Sequence, residues 1–234
     1  TFVNDNLMSV SENINELADG ISDASNVFLG AGSGVNDDGD NRNTGVGINS
    51  LNANTSGFDN SAFGFSALHS NSSGQYNTAS GSYALYTNTA GLYNTANGYR
   101  ALYSNTNGTH NTANGVASLY SNTTGFNNVA NGSTALYYNI SGYYNTANGS
   151  MALNNNQTGS SNTSNGCQSL FSNTTGSFSV AVGAGALHNN IVGSELVAMG
   201  YQALYNNGTG ATEIYHSVAN TADGYKALYS TMRH

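Results

Sequence analysis

Proline and tryptophan are absent from these 234 residues, cysteine occurs once, and charged side chains make up only 7%. Four lysines and arginines stand against twelve aspartates and glutamates, for a net charge of -8. So few bases argue against a nucleic-acid binder, whose affinity rests on neutralising phosphates, and against a surface that seeks anionic lipid. No run approaches the ~18 consecutive apolar residues of a membrane-spanning helix, so no insertion into a bilayer is expected. A lone Cys167 excludes a disulfide framework within one chain. Thr1 is preceded by neither an initiator methionine nor a signal peptide, which predicts a fragment of a longer protein.

Charge is missing from the middle as well. Ten of the sixteen charged residues lie between Asp5 and Asp59, and from Asn60 to Ser194 the only one is Arg100. General acid–base chemistry needs carboxylates, lysine or histidine held close together. This stretch offers His69, His110 and His188 with no carboxylate beside them. Neither catalysis nor a cofactor is expected.

What the chain has is 39 asparagines, 29 glycines and 16 tyrosines, set out in rows of 17. NTASGSYALYTNTAG from Asn77, NTANGYRALYSNTNG from Asn94 and NTANGVASLYSNTTG from Asn111 fall in one column frame, which runs from a degenerate copy at Asn26 to a last copy at Asn220. Seven extra residues, 211–217, precede the last copy. Column five is always glycine, as at Gly98 and Gly115, and column fifteen is glycine from Gly57 to Gly210. Such glycines mark a backbone that takes a positive φ or is closely approached. Column nine is leucine from Leu51 through Leu204 and again at Leu228, as at Leu102 and Leu119, beside an alanine or serine in column eight. One leucine per short period is too little for a core of its own, but stacked copies form a continuous one. Column twelve is asparagine from Asn54 to Asn207, as at Asn105 and Asn122, the pattern of a side-chain amide ladder.

Seventeen residues are too few for a helix pair, and glycine this frequent breaks helices. Two short strands, over columns one to four and six to eleven, fit with two turns. The expectation is an all-β, parallel solenoid of about twelve coils over 25–230, ~4.8 Å per coil and on the order of 55 Å long, followed by a tail at 231–234. Ahead of it, Val3, Leu7, Val10, Ile14, Leu17 and Ile21 alternate spacings of four and three. That heptad seam predicts a short N-terminal coiled-coil helix over 1–24, which needs partner helices.

Three segments carry a resemblance. Asn26-Val-Phe-Leu-Gly30, Ser179-Val-Ala-Val-Gly183 and Leu196-Val-Ala-Met-Gly200 resemble the S-V-A-I-G signature of YadA-like heads of trimeric autotransporter adhesins. The longer N-T-A-x-G-x-x-A-L-Y-x-N-T-T-G unit is similar to repeats of trimeric phage-type tail fibres. Together they cover about Asn26 to Ser230. The resemblance implies a left-handed parallel β-roll, a homotrimer, and an extracellular place on a cell surface, virion or injection-system fibre. It implies adhesion to a cell-surface glycan or protein receptor. The middle copies differ in carrying asparagine, from Asn97 to Asn165, in column four where the signature is apolar.

Candidate binding residues follow from the outward columns. Column ten supplies Tyr86, Tyr103, Tyr120 and Tyr137, whose rings offer apolar area and a hydroxyl to sugars or proteins or simply pack along the rod. Columns two and four share one strand face, giving a file of Thr95 and Thr112 beside Asn97 and Asn114. Facing solvent, that file has the regularity of an ice-binding surface; facing a trimer axis, it makes polar layers. A purely structural fibre segment is the third reading. Asp37, Asp38 and Asp40 surround a glycine as calcium loops do but lack the EF-hand spacing and distal glutamate, so an acidic solvent turn is expected and no metal site.

Overall fold

The computed structural model describes residues 20–22, 25–39, 41–207 and 218–230. Among these, thirteen strands of three residues each form one sheet in chain order, from β1 (Gly20–Ser22) and β2 (Val27–Leu29) to β12 (Val197–Met199) and β13 (Thr221–Asp223). From β2 onward every pairing is parallel. In β6 (Thr95–Asn97) and β7 (Thr112–Asn114), Thr95 opposes Thr112 and Asn97 opposes Asn114. The chain is a parallel β-solenoid with 17 residues to the turn, and residues in one sequence column stack along one line. Across the 208–217 stretch the register is kept, because Val197 still opposes Thr221.

Each coil holds one strand rather than two. Columns two to four form it, and columns six to eleven are a series of turns. The cause lies in the backbone: columns seven and nine are both left-handed, as at Ala117 (φ 52) and Leu119 (φ 50). Two such residues flanking one ordinary residue curl the chain tightly and aim the leucine inward. Column seventeen is left-handed too, as at His110 (φ 57). Each such non-glycine residue costs roughly 1–2 kcal/mol, while burying one leucine returns about 1.5–3 kcal/mol. A coil standing alone is therefore unfavourable, and the fold exists as a stack. Its backbone bonds run between coils even outside the strands, as from Leu102 N to Ser118 O (2.9 Å) and from Ala117 N to Tyr99 O (2.9 Å).

The interior is narrow. Up to the coil of Leu204, column nine leucines, column three and eight alanines, and the asparagines of columns one and twelve are buried, with Leu102, Leu119, Asn105 and Asn111 fully so, whereas Leu228 in the last coil is exposed. Column five needs glycine twice over. At Gly115 (φ +137) a Cβ would lie 2.6 Å from the carbonyl oxygen of Gly132 in the next coil. Column fifteen needs it for space alone, since a Cβ at Gly108 would strike Asn105 Oδ1 and sit 2.5 Å from Gly125 O.

At the N-terminal end, β1 turns back antiparallel to β2, setting Ile21 opposite Phe28. Ile21 thus belongs to a strand, not to the helix expected over 1–24. Gly20 is a poor helix residue, and the outer edge of β2 would otherwise present unpaired backbone groups. The heptad positions Val3 to Leu17 and the tail 231–234 lie outside the described residues.

Candidate binding faces

Two amide ladders fix what faces outward. In column twelve each asparagine donates from Nδ2 to Oδ1 of the coil before it, as Asn105 to Asn88 (2.7 Å) and Asn122 to Asn105 (2.8 Å). Column one makes a second ladder that its position at the head of a strand did not suggest. There Oδ1 of Asn94 accepts from both the backbone N (3.0 Å) and Nδ2 (3.1 Å) of Asn111. The ladders meet at column fifteen, where Gly125 O accepts from Asn111 Nδ2 (2.8 Å) and Asn122 Nδ2 (3.1 Å).

Both ladders direct their N–H groups toward the N-terminal coil, so the first coil must supply acceptors. Asp37 stands in column twelve there. Its Oδ2 accepts from Asn43 Nδ2 (2.9 Å) and Asn54 Nδ2 (2.7 Å), and its Oδ1 from Asn26 Nδ2 (3.2 Å), Gly39 N (3.2 Å) and Asn41 Nδ2 (3.0 Å). A carboxylate accepts only, which suits the donor end of aligned amides as an anion suits a helix N-terminus. Asp37 is thus a half-buried ladder cap rather than part of a solvent turn. Asp38 is exposed and Asp40 lies outside the described residues. Among the described residues no three His, Cys, Asp or Glu side chains group closely enough to hold a metal ion.

Columns two and four face away from the core on either side of the buried column three, as the Thr112–Asn114 strand illustrates. Thr95 and Thr112 lie side by side, but the file is interrupted by Val129, Val180 and Val197. The column-four amides are engaged with each other: Asn97 donates to Asn114 (2.9 Å), Asn114 to Asn131 (2.8 Å) and Asn131 to Asn148 (2.8 Å). This outer ladder donates toward the C-terminal coil, opposite to the two inside.

The column-ten rings form a stack. Centroids of Tyr86 and Tyr103 are 5.2 Å apart, Tyr103 and Tyr120 5.0 Å, and Tyr120 and Tyr137 4.9 Å, with planes within 10°. His69 continues it at one end, and after Asn154 a second stack runs through Phe171, His188, Tyr205 and Tyr229. Ring faces within a stack are therefore covered by neighbours, and the half-buried tyrosines offer edges and hydroxyls. Burial, then the neighbouring phenols, raise the Tyr103 and Tyr137 hydroxyl pKa values, and Arg100 opposes this at both. Burial pushes the His69 imidazole pKa down. A second aromatic line, in column seventeen, stacks Tyr76 on Tyr93 (4.8 Å) and is more exposed.

Arg100 stands out on this surface. Its guanidinium carbon lies 4.9 Å from the Tyr99 ring centroid, 5.7 Å from Tyr103 and 5.8 Å from Tyr83. In the sequence Arg100 is an isolated charge, and the fold connects it to the tyrosines. The signal was Tyr99-Arg-Ala-Leu-Tyr103 itself, because columns six, seven and ten converge. Cys167 is free and exposed. The ion pair Arg42–Asp59 (2.7 Å) spans two coils at the N-terminal end. In comparisons with known proteins, no family model, curated sequence or solved structure matches this chain.

Proposed function

We propose that this chain is a non-enzymatic receptor-binding head, a segment of a trimeric adhesin or tail-fibre-like protein displayed outside the cell, on its surface or on a virion or injection-system fibre. The observation that carries the reading is the outward repetition. One parallel register sets the same side chains out coil after coil, as in the Tyr86-to-Tyr137 file with its ~5 Å step. A ligand with its own repeats meets many equivalent weak contacts, and avidity follows from number. Side-by-side packing of three chains has support in exposed apolar side chains flanking the glycine column. Ile48, Phe63 and Phe65 lie toward one end, with Val182, Met199 and Tyr201 toward the other.

The Thr/Asn face is what a competing ice-binding reading would use. Its amides are bonded to one another and its threonine file is broken by valine, which favours the adhesin reading. The test is binding of the immobilised chain to glycan and protein arrays and to intact cells, with ice growth measured in parallel. The reading expects saturable surface binding and no thermal hysteresis. Hysteresis that is lost in Thr112→Tyr, with no surface binding, would replace it by the ice-binding function. Sedimentation equilibrium should give three times the 24.1 kDa chain mass, and a stable monomer would remove the trimer.

A further inference from the structure

In an acidic chain, Arg100 is a cation without an anion. Among the described residues it makes no ion pair, and its buried Nε has no hydrogen-bond acceptor. The three tyrosine rings around it stabilise the cation through their quadrupoles but leave its charge uncompensated. No carboxylate occurs from Asn60 to Ser194, so an incoming anion meets no repulsion from the coils on either side. In column seven, Tyr83 covers Arg100 on one side, while the following coil offers only the methyl of Ala117.

The arrangement occurs twice. Tyr225-Lys-Ala-Leu-Tyr229 repeats Tyr99-Arg-Ala-Leu-Tyr103 in the same columns. Lys226 Nζ lies 5.5 Å from the centroids of both Tyr225 and Tyr229, and it too has no ion pair among the described residues. Tyr99 and Tyr225 are exposed, with Tyr83 edge-on to Tyr99 and Tyr201 stacked on Tyr225, so at each site a cation lies beside a partly open aromatic ring with serine hydroxyls nearby in sequence.

We propose that these are two copies of one binding site for a carboxylate-bearing pyranose, the acidic residue of a surface glycan. The carboxylate pairs with the cation, bidentately at Arg100, and the carbon face of the sugar packs on the exposed tyrosine. The Lys226 copy is the weaker, since lysine is a point charge rather than a fork and Asp223 lies three residues before it. An acidic peptide would also satisfy the cation, but the exposed ring beside each cation suits the carbon face of a sugar, and the peptide is an outcome of the test. The proposal rests on the surface-binding reading above and specifies its ligand.

Glutamine is a native column-seven residue with the same left-handed backbone, at Gln168 (φ 55) and Gln202 (φ 53), so Arg100→Gln and Lys226→Gln leave the coil intact. The experiment titrates the full chain, both single variants and the double variant with a sialylated and a hexuronate-containing oligosaccharide, their carboxyl-reduced counterparts and a poly-glutamate peptide, reading tyrosine fluorescence. At least one acidic oligosaccharide should bind about tenfold more tightly than its reduced counterpart. Arg100→Gln should erase most of that preference, the double variant all of it, and melting temperature should not move. Equal binding of neutral and acidic sugars, or preference for the peptide, overturns this proposal while leaving surface binding in place. Absence of binding to any glycan, protein or cell overturns both.

Discussion

Replacing one alanine by glycine at two positions four residues apart should have opposite consequences. Ala113 is fully buried at the centre of β7, whereas Ala117 occupies column seven with φ 52. Glycine loosens the unfolded chain equally in both variants, so that contribution cancels between them. At Ala117 it relieves left-handed strain of roughly 1–2 kcal/mol. At Ala113 it removes a buried methyl worth about 0.8 kcal/mol and gains nothing in return. The variants should therefore differ by about 2–3 kcal/mol. Ala117→Gly should lie at or slightly above the parent and Ala113→Gly below it. For a chain of this size that is a gap of about 5–10 °C in Tm, measurable by circular dichroism. Equal destabilisation by both would refute the left-handed assignment of column seven, and with it the single-strand description of the coil.

Leu119→Ala should cost about 2–5 kcal/mol by opening a cavity between Leu102 and Leu136, and Gly115→Val should cost more, because no rotation avoids Gly132 O; unchanged melting in either would remove that column from the core. Asp37→Ala strips acceptors from both ladders and should lower stability by about 2–4 kcal/mol, with calcium leaving the parent's Tm unchanged; a large calcium-dependent rise would contradict the capping role. His69 has a folded pKa below its ordinary 6.5, so the unfolded chain binds its proton more readily, and the stability it contributes is present above pH ~6.5 and lost as pH falls through the folded value. His69→Tyr, which extends the tyrosine stack, should abolish that part of the pH dependence, and an unchanged profile would exclude His69 as its source.

The period, the parallel stack, the leucine and glycine columns and the column-twelve ladder were legible because each rests on one residue type recurring at a fixed offset. The second strand was misread because Ser-Tyr-Ala-Leu-Tyr, as at Ser82–Tyr86, has strand-like alternation. Left-handed leucine has no signature in composition, and here the stack enforces it against local preference. Asn111 looked like the start of a strand because its ladder role depends on Gly125 arriving fourteen residues later. Asp37 looked like part of an acidic loop, yet it is the column-twelve residue of the first coil, where an amide ladder needs an acceptor. Tyr86, Tyr103, Tyr120 and Tyr137 were rightly grouped, but only the ring geometry reveals that their faces are already occupied.

A stacked solenoid requires its coils to be interchangeable units in one register. Deleting residues 111–127 joins His110 to Asn128, bringing Leu136 beside Leu102, Asn139 beside Asn105 and Tyr137 beside Tyr103 in an unbroken stack. Deleting 111–126 is one residue short of a coil and turns every following inward side chain out of line. Thermal unfolding followed by circular dichroism should find the first variant folded, cooperative and close to the parent in Tm, and the second without a cooperative transition. If both variants melt alike, whether both intact or both collapsed, the stacked 17-residue solenoid is contradicted.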